Sequence, residues 1–131
     1  MKVNEDELDF DFEQVAYYQN QTFSGIGYSG EKSSLYTETS YKNGLQDGEE
    51  KTWKKDKLIS SALFYKSMLH GETLEYFDSG ELKIKVVYEL GMELEFSEFD
   101  KQGNVTLVRK IEEGSDYHKL LIEKRALDSS T

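Results

Sequence analysis

Glu49, Glu72 and Glu95 recur at intervals of 23 residues, and evenly spaced carboxylates first raise the question of acid–base or metal chemistry. If the interval is one repeat of a β-hairpin stack, equivalent strands lie about 9–10 Å apart, two strand spacings. That is too far for two carboxylates to share a proton or to hold one cation together. A solvated face or a turn-stabilising role suits the three better. The functional reading is an acidic interaction stripe, thickened by Glu50, Glu75, Glu98, Asp78 and Asp100. His70 and His118 are the only histidines and there is no cysteine, so neither imidazole can complete a usual zinc set. His70, just before Gly71, reads as a turn residue. No serine sits in a Gly-x-Ser-x-Gly elbow. The glycine-rich Ser24–Gly30 segment lacks the lysine and following helix of a phosphate loop, and reads as a loop or irregular hairpin. The chain therefore reads as a non-enzyme, with no catalytic residue, metal or cofactor.

The elements that position these residues follow from the same interval. Trp53, Tyr76 and Phe99 are 23 apart, as are Gly48 and Gly71, Gly80 and Gly103, Leu82 and Val105, and Tyr65 and Tyr88. Tyr18 precedes Tyr41, and Gly25 precedes Gly48, by the same step. Internal repeats of this kind define the whole fold. The sequence divides into an acidic arm over 1–17, units near 18–40, 41–63, 64–86 and 87–110, and a cap over 111–127, all in one domain spanning 1–131. Atypical first and last units are what a stack needs at its ends.

Within a unit the pattern is strand, glycine turn, strand, turn. Asp47-Gly48, His70-Gly71, Asp78-Ser79-Gly80 and Asp100–Gly103 read as turns, because Gly accepts positive φ and Asp bonds its own backbone. Short strands at regular spacing predict an all-β antiparallel meander of stacked hairpins. Leu8, Phe10 and Phe12 alternate with Asp9, Asp11 and Glu13, which predicts a strand with one wet face. Ser115-Asp116 predicts a capped helix through about Arg125, with Tyr117, Leu120, Leu121 and Lys124 on one face, covering the last hairpin and its edge. Residues 128–131 read as frayed. The Trp53–Tyr76–Phe99 ladder reads first as a packing spine, and second as a set of interface anchors.

Composition sets the outer limits. The chain has nine Tyr and seven Phe against 37% hydrophobic residues, a profile for half-buried strands and not for a thick core. Net charge is −10, of which residues 1–13 supply −5 through six acids against Lys2. That balance repels phosphate backbones and anionic lipid, so nucleic acid and membrane are disfavoured and a basic partner is favoured. An acidic N-terminus without an apolar stretch predicts no signal peptide, and hence a cytoplasmic location.

The unit Tyr-x-x-Gly…(Asp/His)-Gly-Glu-x-x-x-(Trp/Tyr)-x-x-x-Gly resembles the MORN repeat, and its bacterial variant form in particular. The resemblance rests on Tyr41-Lys42-Asn43-Gly44, Asp47-Gly48-Glu49 and Trp53, then on Tyr65, His70-Gly71-Glu72, Tyr76-Phe77, Gly80 and Leu82. It extends through Tyr17–Tyr28 and Tyr88–Asn104 to cover roughly residues 10–110. Lys57, Ser67 and Leu94 depart from it, standing where repeat glycines are expected. Small bacterial proteins of this kind are similar to antitoxins of toxin–antitoxin systems and to immunity proteins. The resemblance thus implies protein–protein interaction with a cognate toxin, probed best at Glu49, Glu50, Trp53, Glu72, Glu75, Tyr76, Glu95, Glu98, Phe99, Asp9 and Asp11. MORN proteins also include structural scaffolds and modules proposed to bind lipid, which is the alternative expectation. Charge reversal at Glu72 and Glu75 together is the test this reading suggests.

Overall fold

A two-residue hairpin turn, repeated four times, is the device from which the sheet is assembled. In a computed structural model that describes residues 1–130, these turns are Gln19-Asn20, Asn43-Gly44, Lys66-Ser67 and Leu90-Gly91. In each, both residues take positive φ, between 48° and 84°, the twist-matched geometry of a tight hairpin. They join β3 (Ala16–Tyr18) to β4 (Gln21–Thr22), β6 (Leu35–Lys42) to β7 (Leu45–Lys54), β8 (Lys57–Tyr65) to β9 (Met68–Leu69), and β11 (Leu82–Glu89) to β12 (Met92–Phe99). The remaining strands are β1 (Lys2–Asn4), β2 (Asp9–Phe10), β5 (Gly25–Gly30), β10 (Gly71–Tyr76) and β13 (Val105–Lys110), followed by α1 (Asp116–Ser129).

The last three of these turns are each fastened to the unit before by both amides. The second residue donates to a backbone carbonyl: Gly44 N to Phe23 O, Ser67 N to Gln46 O and Gly91 N to Leu69 O, all at 2.8 Å. The first residue donates to a side chain: Asn43 N to Ser24 Oγ at 2.8 Å, Lys66 N to Asp47 Oδ2 at 3.4 Å, and Leu90 N to His70 Nδ1 at 3.0 Å. Ser24, Asp47 and His70 are spaced by 23 and are thus one repeat position. Asp47-Gly48 and His70-Gly71 are therefore not turns, contrary to the sequence reading. The polar residue clamps the next unit's turn. The glycine marks an irregularity within the strand run, at φ 99° in Gly48 and 109° in Gly71, the role glycine takes at a bulge. Leu94 at the equivalent place lies where the β11–β12 register slips between Val87 and Tyr88.

The large sheet has ten strands in the order β1-β5-β6-β7-β8-β10-β11-β12-β13, with β9 paired to β8 alone. Every pairing is antiparallel except β1 with β5. This is the all-β meander with a helical cap. At the far end from these four turns, Lys55-Asp56 closes the β7–β8 hairpin with a fifth turn of the same kind, while Phe77–Glu81 and Asp100–Asn104 form matching loops 23 residues apart. Lys55 and Asp56 take φ of 50° and 67° without any glycine. The Ser24–Gly30 segment is no loop. It supplies β5, paired on both sides, and a Cβ at Gly27 would stand 3.0 Å from both Glu5 Cγ and Tyr41 Cε2.

The arm does not form the long alternating strand expected of it. After a 3-10 turn over Glu5–Glu7, only Asp9–Phe10 is strand, pairing with β3 in a three-stranded sheet β2-β3-β4. Asp11 ends it: its Oδ1 accepts the amides of Glu13 and Val15, each at 2.9 Å. Leu8 is buried, whereas Phe12 is fully exposed. Val3, Leu8, Ala16, Phe23 and Tyr41 pack as the core cluster, with Tyr18 against it.

The helix is capped by Ser115, whose Oγ accepts His118 N at 3.1 Å, and it runs past Arg125 to Ser129. Thr131, part of the segment expected to fray, lies outside the described residues. Of the four residues assigned to its inner face, Leu121 is completely buried and Lys124 half-buried, while Tyr117 and Leu120 are 42% and 47% exposed. Instead of covering the last hairpin edge, α1 crosses the turns: Lys124 Nζ donates to Leu90 O, Arg125 pairs with Glu89, and Tyr65 Oη donates to Asp128. All six residues of β13 remain exposed. Among the described residues no helix is long and apolar enough to cross a membrane.

Candidate functional site

Strand alternation sorts the residues singled out above onto two opposite faces. One carries the aromatics. Tyr28 and Tyr36 lie 6.0 Å apart and Tyr36 and Trp53 5.8 Å apart between ring centroids. Trp53 is paired with Leu58, Tyr76 with Leu82, and Phe99 with Val105. The expected ladder is therefore not a direct stack of Trp53, Tyr76 and Phe99. It is a belt in which aliphatic residues of the intervening strands alternate with the rings. Tyr28 and Tyr36 belong to the belt but fall outside the 23-residue register, so the period alone did not reveal them.

Glu49, Glu72 and Glu95 share this face, and Glu72 and Glu95 both register with Val87 from the strands on either side of it. One strand thus separates them, as expected. They do not form a bare acidic stripe, however. Glu49 pairs with Lys51 at 3.2 Å and Glu72 with Lys85 at 2.9 Å, and Glu95 faces Lys110 in the ladder. Glu38 holds Lys2 at 2.6 Å and accepts Tyr36 Oη at 2.8 Å; these bonds keep its carboxyl below the usual range. Exposed pairs of this kind contribute little to stability but cancel the local field.

Glu50, Glu75 and Glu98 lie on the opposite face, so they do not thicken the first row. This corrects the sequence expectation, and the reason is the period of two: residues i and i+1, or i and i+3, point to opposite sides. The second face begins with threonines, Thr37 Oγ1 meeting Thr52 Oγ1 at 3.1 Å and Thr39 Oγ1 donating to Glu50 at 2.9 Å. It continues through the register Ser60–Glu75–Ile84–Glu98–Leu107. Among the described residues neither Glu75 nor Glu98 has an ion-pair partner. Arg109, on this face, is taken up by Glu93 at 2.9 Å and by the Phe96 ring at 4.4 Å.

Two of the remaining acids, Asp11 and Asp100, serve the backbone. Asp11 builds its own turn and also accepts Tyr17 Oη at 3.2 Å. Asp100 accepts the amides of Gln102 and Asn104, each at 2.9 Å, and its carboxyl is held below the usual range chiefly by the Asn104 amide. Asp9 is exposed opposite Tyr17 in β2. His70 and His118 each use Nδ1 as an acceptor for a backbone amide, Leu90 and Gly114 respectively. A concavity of about 490 Å3 lies beside the Asp78–Gly80 turn and is lined by Leu58, Tyr76 and Phe77. Comparison with family models, with curated proteins and with solved structures finds no match to this chain.

Proposed function

We propose that the chain is a non-enzymatic protein-binding module, an immunity protein or antitoxin that occludes a cognate toxin with a basic surface. The observation that supports this best is the row Glu75–Ile84–Glu98–Leu107, where two carboxylates without ion-pair partners alternate with aliphatic side chains across four adjacent strands. Such a row joins apolar contact area to an unneutralised negative field, which speeds encounter with a basic partner and sets its register. A sheet whose backbone is already paired needs little ordering on binding. The resemblance to variant MORN repeats, noted from the sequence, supplies the class of partner.

The test is a pull-down of the tagged protein from its native cells, with partners identified by mass spectrometry. One stoichiometric basic protein, toxic when expressed alone, is the expected result. Recovery of lipid or of several cytoskeletal proteins, and no such partner, would replace this reading with the scaffold alternative. Once the partner is in hand, Glu75→Lys with Glu98→Lys is expected to slow association at least tenfold at low salt. Glu72→Lys, on the ion-paired face, is expected to leave it nearly unchanged. Reversing Glu72 and Glu75 together would mix the two faces and decide nothing.

A further inference from the structure

Phe12 is the apolar side chain the fold does least to shelter. It is fully exposed, and Phe10 two residues before it is 43% exposed. This is not a loose tail. The buried residues Leu8 and Ala16 flank the segment, Asp11 N donates to Val15 O at 3.1 Å, and Asp11 Oδ1 takes two further amides. The ring is thus presented on a fixed turn, between Asp11 and Glu13, with Asp9 close by in sequence. A fully solvated phenyl group forgoes roughly 1.5–3 kcal/mol of burial, and a rigid aromatic is the kind of group that anchors an interface.

A receptor of matching chemistry exists on the same molecule. The 490 Å3 cavity lined by Leu58, Tyr76 and Phe77 has Lys57 on its rim. Lys83 and Lys101 both lie within 6 Å of the Phe77 ring, at 5.8 and 5.7 Å, and Lys54 and Lys55 line the adjoining hollow. Five lysines stand here against Asp56, Asp78, Glu81 and Asp100. Asp100 is turned to backbone amides, and Glu81 is held by the Ser79 hydroxyl. In a chain of net charge −10 this is ground where lysine outnumbers acid.

Knob and cavity cannot meet within one chain. The Phe12 turn is fastened beside Asn43-Gly44 through Ala16 N to Gly44 O at 2.8 Å. The cavity adjoins Asp78–Gly80 at the other end of the strands, and the ten residues of β7 alone span roughly 33 Å between the two ends. We infer that the chain docks on itself head to tail: the Phe12 turn of one copy seats in the Leu58–Tyr76–Phe77 cavity of a second. Glu13 and Asp9, whose carboxylates take no backbone amide among the described residues, then supply the charge that faces Lys57, Lys83 and Lys101, while Asp11 holds the turn. The contact is heterologous, so each copy offers one knob and one cavity. It is small, so association is weak, on the order of 100 μM, and is screened by salt.

Sedimentation velocity over roughly 10 μM to 1 mM at low salt tests this, the range bracketing that affinity. The wild type is expected to rise above monomer mass, while Phe12→Ala and Lys57→Glu, both at exposed positions, stay monomeric. Mixing the two variants is the deciding arm, because one retains the cavity and the other the knob. A one-to-one heterodimer that grows no further is expected. A wild type that remains monomeric, self-association that survives Phe12→Ala, or a mixture that stays monomeric would each overturn the proposal. Loss of toxin capture by Phe12→Ala from a monomeric wild type would assign the knob to that partner instead.

Discussion

The first hairpin unit and the last solve the same problem in different ways. A single-layer sheet has little interior, and apart from residues such as Tyr36, Thr39 and Val86 its burial must be found at its ends. At the N-terminal end the arm folds back over the first hairpin. A second small sheet forms, and Val3, Leu8, Ala16, Phe23 and Tyr41 close into a core. At the C-terminal end no second sheet exists. Strand β13 is exposed along its whole length, and α1 lies across the turns, held by Lys124 to Leu90 O, the Arg125–Glu89 pair and Tyr65 to Asp128, with Leu121 its one buried side chain among the described residues. The first cap is a packed layer and the second is a latch. Stability is therefore expected to be graded along the stack, highest at the first unit, as in other arrays whose units touch only their neighbours.

The strongest way to break this comparison is to empty the first core. Phe23 is 2% exposed, with Tyr18 and Tyr41 ring centroids at 6.1 and 5.7 Å. Phe23→Ala is expected to cost about 3–5 kcal/mol in urea unfolding. Leu121→Ala at the other cap is expected to cost less, about 2 kcal/mol, because a docked helix can settle into the space left. It should also abolish protection of the α1 amides while leaving those of β5 and β6 intact. Equal costs, or loss of protection everywhere in Leu121→Ala, would mean that the two ends are one cooperative unit.

A smaller perturbation asks how the units are joined. His70 clamps the Leu90 amide as Ser24 and Asp47 clamp the amides of Asn43 and Lys66. His70→Ala leaves that donor without its acceptor and is expected to cost about 1–2 kcal/mol, felt first in α1, which rests on this turn. His70→Asp copies the neighbouring unit and should recover most of the loss. If Asp recovers nothing, the imidazole matters for its contact with the Tyr65 ring at 5.3 Å and not as an acceptor.

The alkaline limit should separate the ends without any mutation. Burial first, and then the Glu5 carboxylate, push the Tyr41 hydroxyl well above its ordinary value. Its contribution is complete below the unfolded value near 10 and declines as pH rises beyond it. The Arg125 guanidinium holds the Glu89 carboxyl below its ordinary range. That contribution is complete above about 4.3, the unfolded value, and is lost as pH falls through the folded one. Alkali is thus expected to loosen the arm first, whereas acid weakens both ends, the arm through Lys2–Glu38 and α1 through Arg125–Glu89. Residue-resolved hydrogen exchange at both limits checks this.

How far the sequence foretold this architecture depends on which physical rule each residue obeys. The interval of 23 carried the meander, because units that stack in register repeat the same side chains at the same depth. Asp47-Gly48 and His70-Gly71 misled, because a clamp for a neighbouring turn uses the same two residue types as a turn. Glu72 and Glu75 looked like one acidic surface because nearness in sequence conceals the two-sidedness of a strand. The docking of α1 across turns was not legible, since Tyr117 and Leu120 have the spacing of a buried face while Lys124 and Arg125 make the contacts. Phe12 stood in an alternating pattern that Asp11 interrupts by taking the backbone amides for itself.

The smallest effect belongs to the open edge. Leu107 and Val108 are 47% and 48% exposed, in a strand that pairs on one side only. An exposed apolar edge invites aggregation, yet Arg109 and Lys110 lie within it, and the β12–β13 register slips between Glu98 and Phe99. Both features discourage a further strand from adding. Val108→Ala is therefore expected to change unfolding free energy by no more than about 0.5 kcal/mol, a small fraction of the loss at Phe23. Arg109→Ala should leave the monomer folded but promote edge-to-edge association, seen as light scattering that grows with concentration. That association would persist when Phe12 is also replaced, which separates it from the head-to-tail contact. If Arg109→Ala stays dispersed, the bulge alone protects the edge, and the exposed last unit tolerates its openness through backbone geometry and not through charge.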